Sequence, residues 1–162
     1  MMPMEVCSAD AEKAYEALQA LKQEGYNVLV DMTAIDYSAY PEKRAARFDV
    51  VYRLANLNAE TGLEEKPRIE VHCAVNEEPV LRSSADLWPD ADWLEREIWD
   101  MFGIRFSDRP DIKRLLLYEQ FVGHPLRKDY PIAKRQPLIG PASGERDDSP
   151  SFNIVRPTIK YE

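Results

Sequence analysis

Cysteine is scarce in this sequence. Cys7 and Cys73 are the only two among 162 residues, and they share no motif. Two thiols make no disulfide framework, so a reduced, cytosolic setting is expected. His72 and His124 are the only histidines. No CxxC, HxH or HExxH pattern accompanies them, and no protein-bound zinc or iron–sulfur cluster is expected. The six glycines are never grouped as GxGxxG or in the P-loop pattern, so a cradle for NAD, flavin or ATP is not expected. There is no G-x-S-x-G and no convincing Cys/His pairing, which argues against nucleophilic catalysis. No apolar run approaches the ~20 residues of a membrane span. The first residues, MMPMEVCSADAEK, show neither the basic nor the apolar region of a signal peptide, and none is expected.

What is present is a chain of ordinary globular composition, 44% hydrophobic and 31% charged. That is enough for one domain with a real core and an extended tail. The net charge of −8 argues against nucleic acid as the main partner. The charge is uneven. Residues 111–162 carry net +2 and six of the twelve prolines, whereas residues 1–110 carry net −10. The chain changes character near Pro110.

SADAEKAYEALQALKQEG reads as a helix over 8–25. Ser8 suits its N-cap, Asp10 its first turn and Gly25 its end, and Ala11, Ala14, Tyr15, Leu18 and Leu21 form one apolar face. Three strands follow. NVLVDMTAIDY (27–37) is rich in apolar residues. RFDVVYRLANL (47–57) alternates, with Phe48, Val50, Tyr52 and Leu54 on one side and Asp49 and Arg53 on the other. RIEVHCAV (68–75) places Ile69, Val71, Cys73 and Val75 inward and Arg68, Glu70 and His72 outward. Short polar connections favour antiparallel pairing. The expected fold is α+β: a small, mostly antiparallel sheet with helices on one face, followed by a long irregular C-terminal arm. DWLEREIWDMFG reads as a second helix, with Asp92 and Glu95 in a capping-box arrangement and Gly103 at its end. KRLLLY (113–118) is either a short strand or a turn of helix. From Gly123 onward periodicity disappears, yet Leu126, Tyr130, Ile132, Leu138, Ile139, Phe152, Ile154, Val155, Ile159 and Tyr161 are too many apolar residues for a solvated linker. The expected division is a domain over 1–118 and a proline-rich arm over 119–162 that wraps a partner, with a mobile tail as the plain alternative.

The charged helix holds the best catalytic candidates. Arg96 and Asp100 are spaced for an i,i+4 ion pair worth a few tenths of a kcal/mol if exposed. Glu97, near Leu94, Ile98 and Met101, is expected to be drawn into the apolar face, where it would need a cationic partner. Arg109, Lys113, Arg114, Arg127 and Lys128 are the candidates for that partner. A structural ion-pair network is favoured over general acid/base work. The rival reading is a free-standing enzyme using Glu97 with Arg127 or Lys128 on an anionic substrate. The basic stretches RPDIKR and HPLRKDYP suit either an anion site or ties to an acidic partner surface.

Three stretches in order, EREIWDMFGIRF, PDIKRLLLYEQF and GHPLRKDYP, resemble the 30 kDa subunit family, the C subunit of the proton-pumping NADH–quinone oxidoreductase, respiratory complex I. The resemblance is specific over 95–131 and looser before it. The residues that carry it are also the expected interface and structural motif: Glu95, Arg96, Glu97, Asp100, Phe102, Gly103, Pro110, Asp111, Lys113, Arg114, Gly123, His124, Pro125, Leu126, Arg127, Lys128, Asp129, Tyr130 and Pro131. The family usually has Gly-His-Pro where this chain reads DRP (108–110), so no role of that histidine carries over to Arg109. The resemblance implies a stand-alone, non-catalytic subunit of the peripheral arm on the cytoplasmic side of the bacterial inner membrane. Its implied partners are the large D-type subunit and the neighbours that form the quinone site, and it would meet the membrane only through the complex. No cofactor in this chain is implied; FMN, iron–sulfur clusters and quinone would sit on other subunits. The equivalent subunit of a membrane-bound hydrogenase-type complex stays open. On this reading Trp93, Ile98, Trp99, Met101 and Phe102 anchor the helix in the core and at its edge.

Overall fold

The computed structural model describes residues 5–11, 13–41, 44–76, 80–109, 112–134 and 136. The chain runs β1 (Glu5–Asp10), α1 (Ala14–Gln23), β2 (Val28–Asp36), β3 (Phe48–Ala55), β4 (Ile69–Val75), β5 (Val80–Arg82), α2 (Ala91–Phe102) and β6 (Arg105–Ser107). β2, β3 and β4 form the expected antiparallel meander, within a four-stranded sheet of order β1-β4-β3-β2. Its inward faces carry Met32 and Ala34, Phe48 to Leu54 on alternate residues, and Ile69, Val71, Cys73 and Val75. β2 changes register between Leu29 and Asp31. Skipping Val30 in the ladder turns Leu29 inward beside Leu54 despite its odd spacing from Met32, and leaves Val30 exposed. Ala14 and Leu18 of α1 and Ala91, Ile98, Met101 and Phe102 of α2 join the same core. Each large apolar side chain buried there contributes about 1.5–3 kcal/mol. The fold is therefore α+β, with both helices on one face of the sheet. Burial pushes the Cys73 thiol up to about 12, consistent with a small core residue rather than a nucleophile.

The N-terminus differs from the expected helix. Residues 5–10 are a strand, parallel to β4, with Cys7 beside Val71 and Ala9 beside Cys73. Ser8 and Asp10 thus lie in β1 rather than capping α1, whose N-cap is Lys13 without a side-chain hydrogen bond. Pairing with the free edge of β4 satisfies a whole row of backbone groups, and this outweighs one cap. The C-terminal end of α1 follows the sequence closely. Gly25, at φ 104°, takes the left-handed position, and Gly25 and Tyr26 donate back to Lys22 and Leu21, which is a Schellman ending. β5 and β6, three residues each, pair in parallel; they are too short to show a period.

The outer face of the sheet carries a charge network. Arg53 reaches Asp31 and Glu70, each at 3.3 Å. His72 meets Glu70 through Nε2 at 3.1 Å and Asp49 Oδ2 through Nδ1 at 2.7 Å. Asp49 faces outward as its alternation predicts, but it is buried, and its Oδ1 has no hydrogen-bond partner. Such an orphan costs roughly 1–3 kcal/mol.

Candidate functional site: the junction after helix α2

The buried stripe of α2 runs Ala91, Glu95, Ile98, Phe102, and so carries a carboxylate into the core. Glu95 is fully buried and satisfied. Its Oε1 accepts from the Ser84 backbone N–H (2.8 Å) and hydroxyl (3.1 Å), and its Oε2 from the Ser83 hydroxyl (2.8 Å) and Arg109 (3.1 Å). Arg109 also holds Asp92 and its carbonyl. The capping box is thus not formed. The N-cap is Asp90, without a side-chain bond, because Glu95 is occupied by the two serines.

Asp100 is the second fully buried carboxylate. Its Oδ1 accepts from Arg114 at 2.6 Å, and its Oδ2 from the backbone N–H groups of Leu115, Leu116 and Leu117 at 2.9–3.1 Å. This nest explains why KRLLLY is neither strand nor helix: its donors converge on one oxygen. Burial alone would raise the Asp100 carboxyl, but the three N–H groups and Arg114 outweigh it and hold it below the usual range. Arg114 also donates to the carbonyls of Phe121 and Gly123, at 2.8 and 3.3 Å. The expected Arg96–Asp100 pair is absent. Arg96 instead donates to the carbonyls of Lys113 and Arg114, at 3.2 and 3.0 Å, while Asp100 turns inward.

The last carbonyls of α2 are then closed by GHPLRK. Trp99 O accepts from Gly103 N–H (2.8 Å), Asp100 O from His124 Nδ1 (2.9 Å), Met101 O from Leu126 N–H (3.1 Å) and Phe102 O from Arg127 Nε. Four orphan acceptors of a helix end are met by a segment more than 20 residues downstream and one left-handed glycine. Gly103 has φ 75°, and a Cβ there would stand 2.6 Å from the His124 ring and 2.9 Å from Arg127. Only glycine lets the ring approach this closely. Burial lowers His124 below its ordinary value, against the pull of the Asp100 carbonyl.

A third buried carboxylate, Asp36 at the end of β2, is not among the expected site residues. It accepts from Ser38 N–H (2.9 Å), from Arg47 and from Lys128 N–H (2.9 Å). Burial opposes ionisation, but Arg47 and the Lys128 and Ser38 N–H groups hold the carboxyl well below the usual range. Arg47 also reaches Asp129 at 2.8 Å. The signal was in the strand: Asp36 shares its parity with Met32 and Ala34, an acid on a core face. Tyr130 stacks on Phe121, with ring centroids 6.1 Å apart.

The expected site residues therefore divide. Glu95, Asp100, Phe102, Gly103, Arg114, Gly123, His124, Leu126, Arg127, Asp129 and Tyr130, with the backbone of Lys113 and Lys128, form one junction. Pro125 lies within its GHPLRK segment, and Pro131 follows Tyr130 as an exposed residue. Glu97 is exposed rather than drawn inward; Glu95, two residues earlier, is the buried one. No hydrogen bond joins Glu97 to Arg127, which lies against the helix end and the Phe48 ring, or to Lys128. Trp93 is 59% exposed rather than a core anchor. Pro110, Asp111 and the arm beyond 136 lie outside the described residues. Among the described residues no group of His, Cys, Asp or Glu could hold a metal, and no helix is long and apolar enough to cross a membrane. Leu116, Val122, Leu126 and Ile132 are all at least half exposed along the outside of the junction.

Residues 7–136 match the family described as respiratory-chain NADH dehydrogenase, 30 Kd subunit. The chain is 40% identical over 129 residues to NADH-quinone oxidoreductase subunit 5 of Thermus thermophilus, covering 79% of this chain and 62% of that protein. It is 48% identical over 106 residues to the C subunit of the NADH-quinone oxidoreductase of a Ruegeria species, covering 65% of this chain and 48% of the relative. Against the C subunit from Citrifermentans bemidjiense it is 40% identical over 133 residues, covering 80% and 76%. The chain thus spans between about half and three quarters of these relatives. A solved structure, described as Nqo5 of the trypsin-resistant fragment (1-134), is similar with a TM-score of 0.62 at 37% identity, over 68% of this chain and 83% of that one.

Proposed function

This chain belongs to the 30 kDa subunit family of the respiratory-chain NADH dehydrogenase, and we propose that it serves that complex as a non-catalytic subunit of the peripheral arm. On this reading residues 1–118 are the domain and 119–162 the arm. The domain and arm together dock the large D-type subunit and the neighbours of the quinone site, on the cytoplasmic side of the membrane. Electron transfer from NADH to quinone runs on cofactors held by those other subunits.

One observation carries the reading. The three stretches that resemble the family fold into a single junction whose charges are consumed internally, with Glu95, Asp100 and Asp36 each closed by several donors. What it turns outward is apolar: Leu116, Val122, Leu126 and Ile132. A constellation with every acceptor occupied suits register and rigidity rather than proton transfer. An exposed apolar row suits a protein partner. Glu97, the carboxylate on which a free-standing enzyme would rest, is exposed and has neither proposed cation bonded to it.

The test is an affinity pull-down of the tagged full chain from gently solubilised membranes of its host, with co-purifying proteins identified by mass spectrometry. Flavin- and iron–sulfur-bearing subunits with NADH oxidation are expected. Nickel-bearing subunits would move the chain to a hydrogenase-type complex. Recovery of the chain alone would overturn the reading.

A further inference from the structure

We propose that the outer face of the sheet carries a socket for one lysine or arginine side chain of a neighbouring subunit, with Asp49 as its acceptor. This rests on the reading of the chain as one subunit of a complex, and adds a second contact far in sequence from the arm. Asp49 lines a pocket of about 330 Å³ whose other walls include Tyr37, Arg44, Ala46 and Ala74. Its side chain is only 8% exposed. Its Oδ2 is taken by His72 at 2.7 Å, while its Oδ1 accepts nothing. Among the described residues no other buried side-chain oxygen or nitrogen is left without a partner. The rest of this face is closed: Glu70 accepts from His72 and Arg53, and Asp31 from Arg53 and the Met32 N–H. A face that satisfies every acceptor but one is built to receive a donor at that one.

The walls say what kind of donor. Two alanines and an aromatic ring suit the apolar stem of a long basic side chain. Arg44 already lies over the Tyr37 ring, 3.9 Å from its centroid, rather than on Asp49, so the ring accepts a guanidinium at the pocket rim. The charge is complementary, since residues 1–110 carry net −10. A metal is a poor occupant, because no cluster of ligands surrounds the carboxylate. Neither helix covers this face: the apolar sides of α1 and α2 are both spent on the core opposite.

The experiment places a benzoylphenylalanine photo-crosslinker at Arg44 in the full chain, expressed in its host, and maps adducts in the purified complex. The expected product joins the rim to a segment of another subunit that contains a lysine or arginine. Asp49→Asn, which keeps an oxygen for His72 but replaces the second acceptor by a donor, should cut the yield about tenfold or more. Should Asp49→Asn fail to fold, Ala74→Leu fills the pocket from the opposite wall and should give the same loss. An adduct confined to this chain, one to a segment without a basic residue, or a yield unchanged by both variants overturns the socket. If subunits co-purify but no adduct forms, the socket alone falls; if nothing co-purifies with the wild-type chain, it falls with the proposed function.

Discussion

The sheet and the junction are held together by different means. Across the sheet, burial is spread over many apolar side chains, from Phe48 to Val75, with no single one indispensable. In the junction, the order of residues 112–130 hangs on two buried carboxylates and one helix end: Asp100, Asp36 and the carbonyls of 99–102. Apolar burial is additive and forgiving, whereas a convergent carboxylate fails at once when removed, because every donor it served is left buried and unpaired. The junction is thus the more specific part of the molecule and the more fragile one.

The sharpest way to break that contrast is Asp100→Ala. It strands three backbone N–H groups and the Arg114 guanidinium, and is expected to cost about 3–5 kcal/mol. A core truncation such as Leu54→Ala costs a comparable roughly 2–5 kcal/mol. The two should differ in pattern. In native-state hydrogen exchange Asp100→Ala should expose the amides of Leu115, Leu116 and Leu117 while the β3 and β4 amides stay protected; Leu54→Ala should lower protection throughout. Uniform loss in both would mean that sheet and junction are one cooperative unit. The next effect in size is Gly103→Ala. The left-handed backbone and the contact with His124 together should cost roughly 2 kcal/mol, read as a lower denaturation midpoint with an unchanged slope. An unchanged midpoint would mean that the GHPLRK segment does not sit on the helix end in solution.

These two regions are also unequally readable from sequence. The meander follows from period-two alternation, which depends on each residue and its next neighbour but one, so β2, β3 and β4 emerge nearly to the residue. β1 does not, because SADAE satisfies a helix start as well as an edge strand, and only the free edge of β4, about 60 residues away, decides between them. The junction stands out as important, through the resemblance, but its wiring does not. Helical spacing pairs Arg96 with Asp100 and puts Glu97 near apolar neighbours. Which carboxylate faces the core depends on the phase of the stripe Ala91–Glu95–Ile98–Phe102 and on two serines in a preceding loop. No local pattern could announce that a leucine run supplies a nest of N–H groups. Asp36 could have been suspected, since it is the one acid at inward parity in an otherwise apolar strand.

The smallest expected effect concerns pH, and it too separates the two regions. The sheet core has little to titrate near neutrality, apart from His72 on the outer face, whereas the junction holds His124. The folded state keeps that ring below its ordinary 6.5 because it is partly buried. Between the folded value and 6.5 the unfolded chain binds more protons than the native one, so stability rises with pH across that window and falls as pH drops through it. Asp36 and Asp100 act lower down. Their folded values lie below 3.8, so their contribution is complete above 3.8 and is lost as pH falls further. Denaturation midpoints across pH should therefore show a shallow decline beginning near 6.5 and a steeper one below 4. His124→Asn keeps an N–H donor for the Asp100 carbonyl without a group that titrates. The difference between wild-type and variant profiles cancels His72, and it should remove the upper decline and leave the lower one intact. If the upper decline survives the substitution, His124 is not buried against the helix end, and the junction is looser than its hydrogen bonds imply.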